Sequence, residues 1–415
     1  MDGNQLYIKG PQRMHGELLI QGSKNASLPI LAATLLGEGV FILHHCPQIS
    51  DVEHMLELLE EVGCRVQREG HMLIVDTRKV GCWQVTGNGA GKMRSTVTLL
   101  GSLLGRMHRA EIPYPGGCTI GKRPIDLHLK GLEQLGAVFA HEEHRLSGYA
   151  EKLHGAEVYL DFPSVGATEN VLLAAVLADG TTRLHGAAME PEIVELASFL
   201  RCMGADIEGD GTPVIIIKGV SGLHAAEYII PSDRIVAGTY LFGAVMTRGE
   251  IRLLHVPVAH LGRIPELLER MGAAVETGDD WIYVRMDHQC SSMPYVVTAP
   301  FPGFPTDLQS VLMAALSTAS GMSFIEEKIF EARFQIVPEL RKMGASIASD
   351  EGFVLMDGDA SLHGAKVEAK ELRGGAALVM AALAAEGETC ISGMEFVERG
   401  YENIKGDLKK LGIVL

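Results

Sequence analysis

The chain has 415 residues, of which 47% are hydrophobic and 21% are charged, and its formal net charge at pH 7 is −16. These proportions are those of an ordinary globular protein. The acidic total argues against a nucleic-acid-binding protein, because a surface that binds many phosphates has to be basic. No apolar run reaches the roughly 18 residues of a membrane-spanning helix, and the N-terminal residues do not resemble a signal peptide. We therefore expect a cytoplasmic protein that inserts in no membrane.

In chain order, the sequence repeats one pattern six times, at intervals of about 70 residues. Each copy contains an amphipathic stretch that stops at a Leu/Met-Gly-small step, which is typical of a surface helix that ends at a glycine in the left-handed region. The six glycines are Gly63, Gly136, Gly204, Gly272, Gly344 and Gly412. Repetition on this scale predicts the architecture before any motif is considered.

A second series of segments repeats in phase with the first and is rich in Ala, Leu, Gly and Ser. Stretches that are apolar on every side predict buried helices, and their small residues allow close packing. The segments cover residues 25–36, 94–104, 168–177, 235–246, 308–316 and 375–385. Each is followed by a strand-like run, then by the surface helix and a hairpin pattern. The sequence therefore predicts an α/β fold built from six such units.

Six units are too many for one hydrophobic core, so we predict two domains of three units each. The chain is expected to cross between the domains near residues 22 and 231. The N-terminal domain is predicted over residues 23–231, and the C-terminal domain over residues 1–22 together with 232–415. Residues 7–22 are predicted to form one strand that completes the C-terminal domain.

The seven cysteines form neither a disulfide framework nor a paired metal-binding motif, so we expect no metal site. Cys118 differs from the others because it lies in the loop-like segment PYPGGCTIGKRPIDLH, and Lys122 and Arg123 follow it within five residues. Cationic neighbours lower the pKa of a thiol toward the reactive thiolate. Cys118 is thus a candidate for acid, base or covalent chemistry, with a packing cysteine in a turn as the alternative.

Basic residues recur at the first turn of the predicted buried helices, where the helix dipole favours anions. Others interrupt the repeat elsewhere. We expect five of them to converge on a small polyanion that bears carboxylate and phosphate groups. These five are Lys24, Arg123, Arg333, Arg373 and Arg399. Asp307 is the unusual carboxylate of this set, and it is either a general base near a substrate hydroxyl or a structural ion-pair partner.

The motifs GSKNASLPIL, PGGCTIGKRPIDLH, FPSVGATEN, FPGFPTDLQS, FEARF and RGYE closely resemble those of the UDP-N-acetylglucosamine 1-carboxyvinyltransferases. The resemblance is colinear over the whole chain. It implies a two-domain inside-out α/β barrel in which each domain has three βαβαββ units. It also implies transfer of the enolpyruvyl group of phosphoenolpyruvate to the 3′-hydroxyl of UDP-N-acetylglucosamine, with release of phosphate. That reaction is the first committed step of peptidoglycan synthesis.

The resemblance implies catalytic roles for four residues. Cys118 is implied to protonate the methylene carbon of phosphoenolpyruvate and to be the site of attack by fosfomycin. Asp307 is implied to accept the proton of the sugar hydroxyl. Lys24 and Arg399 are implied to hold the phosphate of phosphoenolpyruvate.

The resemblance also implies a binding surface for both substrates, with basic residues around phosphoenolpyruvate and two motif segments around the uridine and diphosphate. The implied substrate-binding residues are Lys24, Asn25, Arg94, Arg123, Pro124, Ile125, Asp126, Leu127, Ser164, Val165, Gly166, Asp307, Ile329, Arg333, Arg373 and Arg399. No metal and no organic cofactor is implied, and the sequence does not identify protein partners.

The chain departs from the usual family motifs at several positions, which include Val236, Ala332, Ile336 and Phe396. Two of these lie beside Arg333 and one beside Arg399, whose orientation depends on neighbouring hydrogen bonds. One alternative is therefore a divergent paralogue of low activity that binds the nucleotide and regulates a partner. Another is a shikimate-type enolpyruvyl transferase, which the Cys118 loop and the KNA sequence disfavour.

Overall fold

The computed structural model describes residues 4–86, 94–114, 125–141 and 144–415, and residues 94 and 95 only by their backbone. The described strands, in chain order, are β1 (Gln5–Gly10), β2 (His15–Leu19), β3 (Gly37–Glu38), β4 (Val40–His44), β5 (Arg65–Glu69), β6 (Met72–Asp76), β7 (Arg109–Pro113), β8 (Val138–His141), β9 (Arg145–Tyr149), β10 (Glu157–Tyr159), β11 (Thr181–His185), β12 (Asp206–Glu208), β13 (Val214–Lys218), β14 (Leu223–His224), β15 (Glu227–Ile229), β16 (Glu250–Leu254), β17 (Ala274–Thr277), β18 (Trp281–Arg285), β19 (Val296–Val297), β20 (Met322–Glu326), β21 (Ser346–Asp350), β22 (Phe353–Asp357), β23 (Lys366–Glu368) and β24 (Gly387–Ser392).

The described α-helices are α1 (Lys24–Thr34), α2 (Ser50–Glu61), α3 (Leu99–Met107), α4 (Asp126–Gln134), α5 (Val165–Ala175), α6 (Pro191–Cys202), α7 (Arg234–Met246), α8 (Ile264–Arg270), α9 (Gln309–Leu316), α10 (Val337–Lys342), α11 (Leu372–Ala384), α12 (Met394–Val397) and α13 (Ile404–Lys410). Short 3-10 helices cover Arg94–Thr98, Val258–Leu261 and Thr306–Leu308.

The chain divides into two compact units, one made of residues 4–21 and 232–415 and the other lying within residues 22–231. Each has its own hydrophobic core, formed around three buried helices: α1, α3 and α5 in the second unit, and α7, α9 and α11 in the first. In α7 all 13 residues are buried. This explains why these helices are apolar on every side.

Three sheets in each unit follow a similar plan. In four of these six sheets, the strand after a buried helix (β4, β11, β16 or β20) pairs in parallel with a short strand from elsewhere in the unit and antiparallel with the hairpin that follows it. Among the described strands, β7 pairs only with its hairpin, and β24 pairs in parallel with β23 and antiparallel with β1. The strand orders are β15-β4-β6-β5, β7-β9-β8 and β10-β11-β13-β12 in one unit, and β17-β18-β16-β2, β19-β20-β22-β21 and β1-β24-β23 in the other. The predicted sequence of buried helix, strand, surface helix and hairpin is thus confirmed for the first five repeats, and the six terminal glycines all have positive φ.

The prediction of one N-terminal strand over residues 7–22 was wrong. The segment forms two strands, and β1 pairs antiparallel with β24 while β2 pairs in parallel with β16. Pro11 lies between them and lacks the N–H that a continuous ladder requires. β1 occupies the antiparallel place beside β24 that a hairpin strand has in the other sheets.

Four buried helices begin earlier than predicted, and a polar side chain caps each of them, which is Asp233 in α7. Ser23 and Ser164 accept from backbone N–H groups at the starts of α1 and α5, and the Glu371 carboxylate does the same for α11. N-caps of this kind satisfy otherwise unpaired N–H groups. They place Lys24, Gly166 and Arg373 in first helical turns, as predicted.

Arg106 forms hydrogen bonds that link the end of α1 to β3 and to the residue after β6. We expect its removal to destabilise this unit. Its Nη1 donates to the carbonyl oxygens of Leu35 (2.9 Å) and Gly37 (3.0 Å), and its Nη2 to that of Thr77 (3.2 Å). Arg106→Ala leaves these carbonyls without a charged donor and should lower the free energy of unfolding by about 2–4 kcal/mol. Chemical denaturation measures this, with exposed Arg65→Ala as control. Equal midpoints for Arg106→Ala and wild type would contradict the prediction.

Candidate active site

Asp307 forms ion pairs with two buried arginines. It lies in the 3-10 helix directly before α9, and its Oδ1 accepts from Arg333 Nη2 at 2.7 Å and its Oδ2 from Arg373 Nη2 at 3.0 Å. The two arginine side chains are 2% and 5% exposed, whereas that of Asp307 is 25% exposed. The two buried guanidinium groups are thus held by a carboxylate that is itself partly open to solvent.

Arg373 is held rigidly and keeps donor capacity. It is the second residue of α11, and the Glu371 cap binds its backbone N–H at 2.8 Å. Burial alone lowers the pKa of Arg373, but the carboxylates of Asp307 and Asp233 outweigh it and raise that pKa. Among the described residues, Arg373 Nη1 is buried without a hydrogen-bond partner. A permanently charged N–H group without a partner is available to an anionic acceptor.

Arg399 follows α12 on a turn that the rest of the unit supports. The amide of Gln21 donates to the carbonyl of Gly400 and accepts from the N–H of Glu402, both at 3.0 Å. The hydroxyls of Tyr401 and Thr239 lie 2.7 Å apart in the core. Arg399 itself is half-buried.

Ile329 and Arg333 lie on the segment between β20 and α10. Arg333 Nε donates to the carbonyl of Thr306 at 3.3 Å, and the guanidinium carbon lies 5.6 Å from the centre of the Phe330 ring. Ile336, one of the departures from the family motifs, is 3% exposed. It packs in the core and offers no polar group to Arg333.

In the other unit, Lys24 pairs with Asp51 at 2.7 Å, with the two side chains 12% and 3% exposed. Lys24 is the first residue of α1, and Asp51 is the second residue of α2, where the helix dipole stabilises a carboxylate. Asn25 follows Lys24 and is half-buried. Sequence reasoning missed Asp51, because an acid in the first turn of a surface helix is ordinary and carries no signal of a partner.

The segment Ser164–Gly166 forms the start of α5 and packs against α4. A Cβ on Gly166 would lie 2.7 Å from His128 Cε1, so no larger residue fits there without a shift. Asn170 Oδ1 accepts from the backbone N–H of Gly101 at 2.7 Å, which directs its amide nitrogen to His128 Nδ1 at 2.8 Å. Nδ1 of His128 is thus an acceptor.

The remaining predicted site residues have the following positions. Ile125 precedes α4 and is buried, while Asp126 and Leu127 form its first turn. Arg94 begins a 3-10 helix. Cys118, Arg123 and Pro124 lie outside the described residues. Lys24 belongs to a different unit from Asp307, Arg333 and Arg373, so the convergence of the five basic residues stays a prediction.

Glu169 of α5 is buried beside Thr98, whose hydroxyl lies 3.5 Å from its carboxylate. Burial, followed by the nearby charge of Glu192, raises the pKa of Glu169 to about 8 from a usual value of 4.5. The folded protein therefore holds a proton that the unfolded chain loses, and stability contributed by this group falls as pH rises between those two values.

Glu169→Gln should remove this pH dependence, because glutamine has the shape of the protonated acid. From about pH 5 to about pH 8, wild type is expected to lose stability relative to Glu169→Gln by up to about 1.4 kcal/mol per pH unit. Chemical denaturation at several pH values measures the difference. Parallel stability curves for the two proteins would contradict the assignment of a neutral Glu169.

No group of three or more His, Cys, Asp or Glu side chains that could hold a metal ion occurs among the described residues. Within the same ranges, no helix has the length and apolar character needed to cross a membrane.

Comparisons with known proteins show the class of this fold. The family model of EPSP synthase (3-phosphoshikimate 1-carboxyvinyltransferase) matches residues 8–408. The enolpyruvyl transferase NikO from Streptomyces tendae superimposes with a TM-score of 0.89 at 25% identity, over 99% of this chain and 98% of that one. An EPSP synthase from Acinetobacter baumannii shares the fold, with a TM-score of 0.74 at 20% identity and coverage of 99% and 98%.

Sequence relatives narrow the class. A protein of Caldanaerobacter subterraneus subsp. tengcongensis named UDP-N-acetylglucosamine 1-carboxyvinyltransferase 2 is 46% identical over 98% of this chain and 97% of its own. A protein of the same name from Carboxydothermus hydrogenoformans is 44% identical over 98% of both chains. The chain thus belongs to the EPSP synthase family of enolpyruvyl transferases, on its UDP-N-acetylglucosamine 1-carboxyvinyltransferase branch. Both the family and the two-domain inside-out α/β fold predicted from the motifs are confirmed.

Proposed function

We propose that this protein transfers the enolpyruvyl group of phosphoenolpyruvate to the 3′-hydroxyl of UDP-N-acetylglucosamine and releases phosphate, in the cytoplasm, as the first committed step of peptidoglycan synthesis. The observation that carries the proposal is the similarity of 41–46% identity, along nearly the whole chain, to relatives that bear this name. The ion-paired Asp307 and the paired Lys24 support it, because the reaction joins an anionic donor to a hydroxyl acceptor.

The reaction is an addition followed by an elimination. Asp307 accepts the proton of the 3′-hydroxyl, whose oxygen forms a bond to C2 of phosphoenolpyruvate, while the Cys118 thiol gives its proton to C3. The tetrahedral intermediate then loses a proton from C3, the C2–C3 double bond re-forms, and the C2–O bond to phosphate breaks. One acid, one base and a set of fixed cations are sufficient for these steps.

The ion pairs orient the Asp307 carboxylate between Arg333 and Arg373. Arriving phosphoenolpyruvate brings its own anionic groups to the same two arginines, so the donor substrate and Asp307 share their N–H donors.

The remaining predicted contacts divide between the two substrates. Lys24, Arg123 and Arg399 bind the phosphate of phosphoenolpyruvate. The sugar nucleotide is bound by Asn25, Arg94, residues 123–127, Ser164–Gly166 and Ile329.

Phosphate release by the purified protein, with phosphoenolpyruvate in the presence and absence of UDP-N-acetylglucosamine, tests the proposal. We expect release only with the nucleotide, together with a nucleotide product heavier by one enolpyruvyl group in mass spectrometry. Saturable nucleotide binding without any phosphate release would contradict enzymatic function and favour a regulatory paralogue.

A further inference from the structure

Glu327 is a buried carboxylate that the proposed reaction does not use. It is 6% exposed and follows the last residue of β20. Its Oε1 accepts from the backbone N–H groups of Ile329 (2.8 Å) and Phe330 (3.0 Å), and its Oε2 accepts from the hydroxyl of Thr306 (3.0 Å). Three donors from two separate segments of chain therefore meet at one side chain.

Both segments carry residues of the candidate site. Thr306 immediately precedes Asp307, and the other segment contains Ile329 and continues to Arg333. The carbonyl of Thr306 accepts from Arg333 Nε at 3.3 Å, and Asp307 accepts from Arg333 Nη2 at 2.7 Å. Thr306 is thus fixed at its hydroxyl by Glu327 and at its carbonyl by Arg333, which closes a ring of hydrogen bonds around the turn.

The backbone around Glu327 is anchored independently of its side chain. The N–H of Glu327 donates to the carbonyl of Gly352 at 2.7 Å, and the N–H of Lys328 donates to the hydroxyl of Thr298 at 2.9 Å. The carboxylate is therefore presented from a fixed point. Since a charged acceptor forms stronger hydrogen bonds than a neutral one, Glu327 is well suited to hold the two segments in register.

We propose that Glu327 is a positioning residue for the carboxyvinyl transfer: through Thr306 and the N–H groups of Ile329 and Phe330, it fixes Asp307 relative to the nucleotide-binding Ile329 and to Arg333. This inference rests on the proposed function. A displacement of about 1 Å at a reacting group can cost a factor of about 100 in rate, so loss of this link should reach the chemical step. Glu327 acts through Thr306 and touches no substrate.

Kinetics of Glu327→Ala and Glu327→Gln test the proposal. Glu327→Ala removes all three acceptor contacts, and we expect kcat to fall about 10- to 100-fold and KM for the nucleotide to rise. Glu327→Gln should recover most of the rate, because the amide oxygen can accept from both N–H groups while the amide nitrogen donates to the Thr306 hydroxyl. A purely structural role predicts lower thermal stability with unchanged kcat and KM among folded molecules.

Thr306→Val and Thr306→Ser test the path of the effect. Valine has a similar shape but no hydroxyl, so Thr306→Val should lower kcat, whereas Thr306→Ser should not. The effects of Thr306→Val and Glu327→Ala should combine to less than their product, because both break the same link. Glu326→Gln is the matched control, since Glu326 is the adjacent acid but bonds instead to Tyr295 and Lys328 on the outer face.

The outcomes separate the inference from the proposed function. If wild type releases phosphate but Glu327→Ala keeps wild-type kcat and KM, the positioning role is wrong. If wild type releases none, the proposed function fails, and crystal structures of wild type and Glu327→Ala decide the inference. An unchanged Asp307–Arg333 contact in that variant overturns it. If Glu327→Ala does not fold, Thr306→Val gives the same comparison.

Discussion

Asp307→Asn is expected to lower kcat by about three orders of magnitude, because the amide cannot accept the proton of the sugar hydroxyl. The change preserves the shape of the side chain but removes the charge that faces Arg333 and Arg373. Nucleotide binding should persist, since the nucleotide depends mainly on other residues. Steady-state kinetics and calorimetric titration with UDP-N-acetylglucosamine measure the two effects separately.

Controls must distinguish loss of the base from loss of the ion pairs. Removing one partner of a buried pair costs about 3–5 kcal/mol of stability, so the variant has to be shown to remain folded at the assay temperature. Asp350→Asn, on an exposed strand end of the same unit, is the matched control and should behave as wild type. Turnover by Asp307→Asn close to that of wild type would exclude Asp307 as the base.

Cys118→Ser should abolish covalent labelling by fosfomycin, from about one label per chain to none. The other cysteines support this expectation. Burial raises the pKa of the thiols of Cys46 and Cys64 to about 12 and that of Cys290 to about 11, so these remain protonated and inert at neutral pH. Labelling followed by mass spectrometry of the intact protein measures the stoichiometry.

Substitution of a different, exposed cysteine by serine is the control for Cys118→Ser. Cys202 is exposed at the end of α6, and Cys202→Ser should label as fully as wild type. Full labelling of Cys118→Ser would show that another thiol is the reactive one.

The repeat made most of the fold predictable from the sequence, whereas the tertiary contacts of the site were harder to predict. Gly63 and its five counterparts each mark a helix end because a left-handed residue there strongly favours glycine. Residues 7–22 were mispredicted because alternation of apolar residues continues past Pro11, and nothing local shows which strands will pair with the two halves. Helix starts were placed late because caps such as Glu371 precede the apolar pattern.

The candidate site was predictable where a charge departs from an apolar pattern, and not where one polar residue supports another. Asp307 and Arg373 are conspicuous as charges at the starts of buried helices. Asp51 and Glu327 do not stand out in the sequence. Asp51 resembles an ordinary acidic residue at a helix start, and Glu327 resembles a polar residue at the end of a strand. Their partners come from distant segments of chain, and only the folded geometry reveals these.

Two of the positions at which the chain departs from the family motifs are buried. Val236 and Ile336 are 1% and 3% exposed and belong to the core of their unit. Each is an apolar side chain that packs in the core, at a position where the family motif has a polar residue. The backbone N–H of Val236 still binds the Asp233 cap at 3.0 Å. The pair of Arg333 with Asp307 persists beside Ile336, which favours an active enzyme over a protein that only binds nucleotide.

The most direct test of the proposed activity is a competition assay. Purified protein is incubated with phosphoenolpyruvate, UDP-N-acetylglucosamine and shikimate 3-phosphate together, and the mass of each product is determined. We expect the enolpyruvyl mass gain on the nucleotide alone, with an equal amount of phosphate released. A mass gain on shikimate 3-phosphate, or none on a nucleotide that binds, would contradict the proposed function.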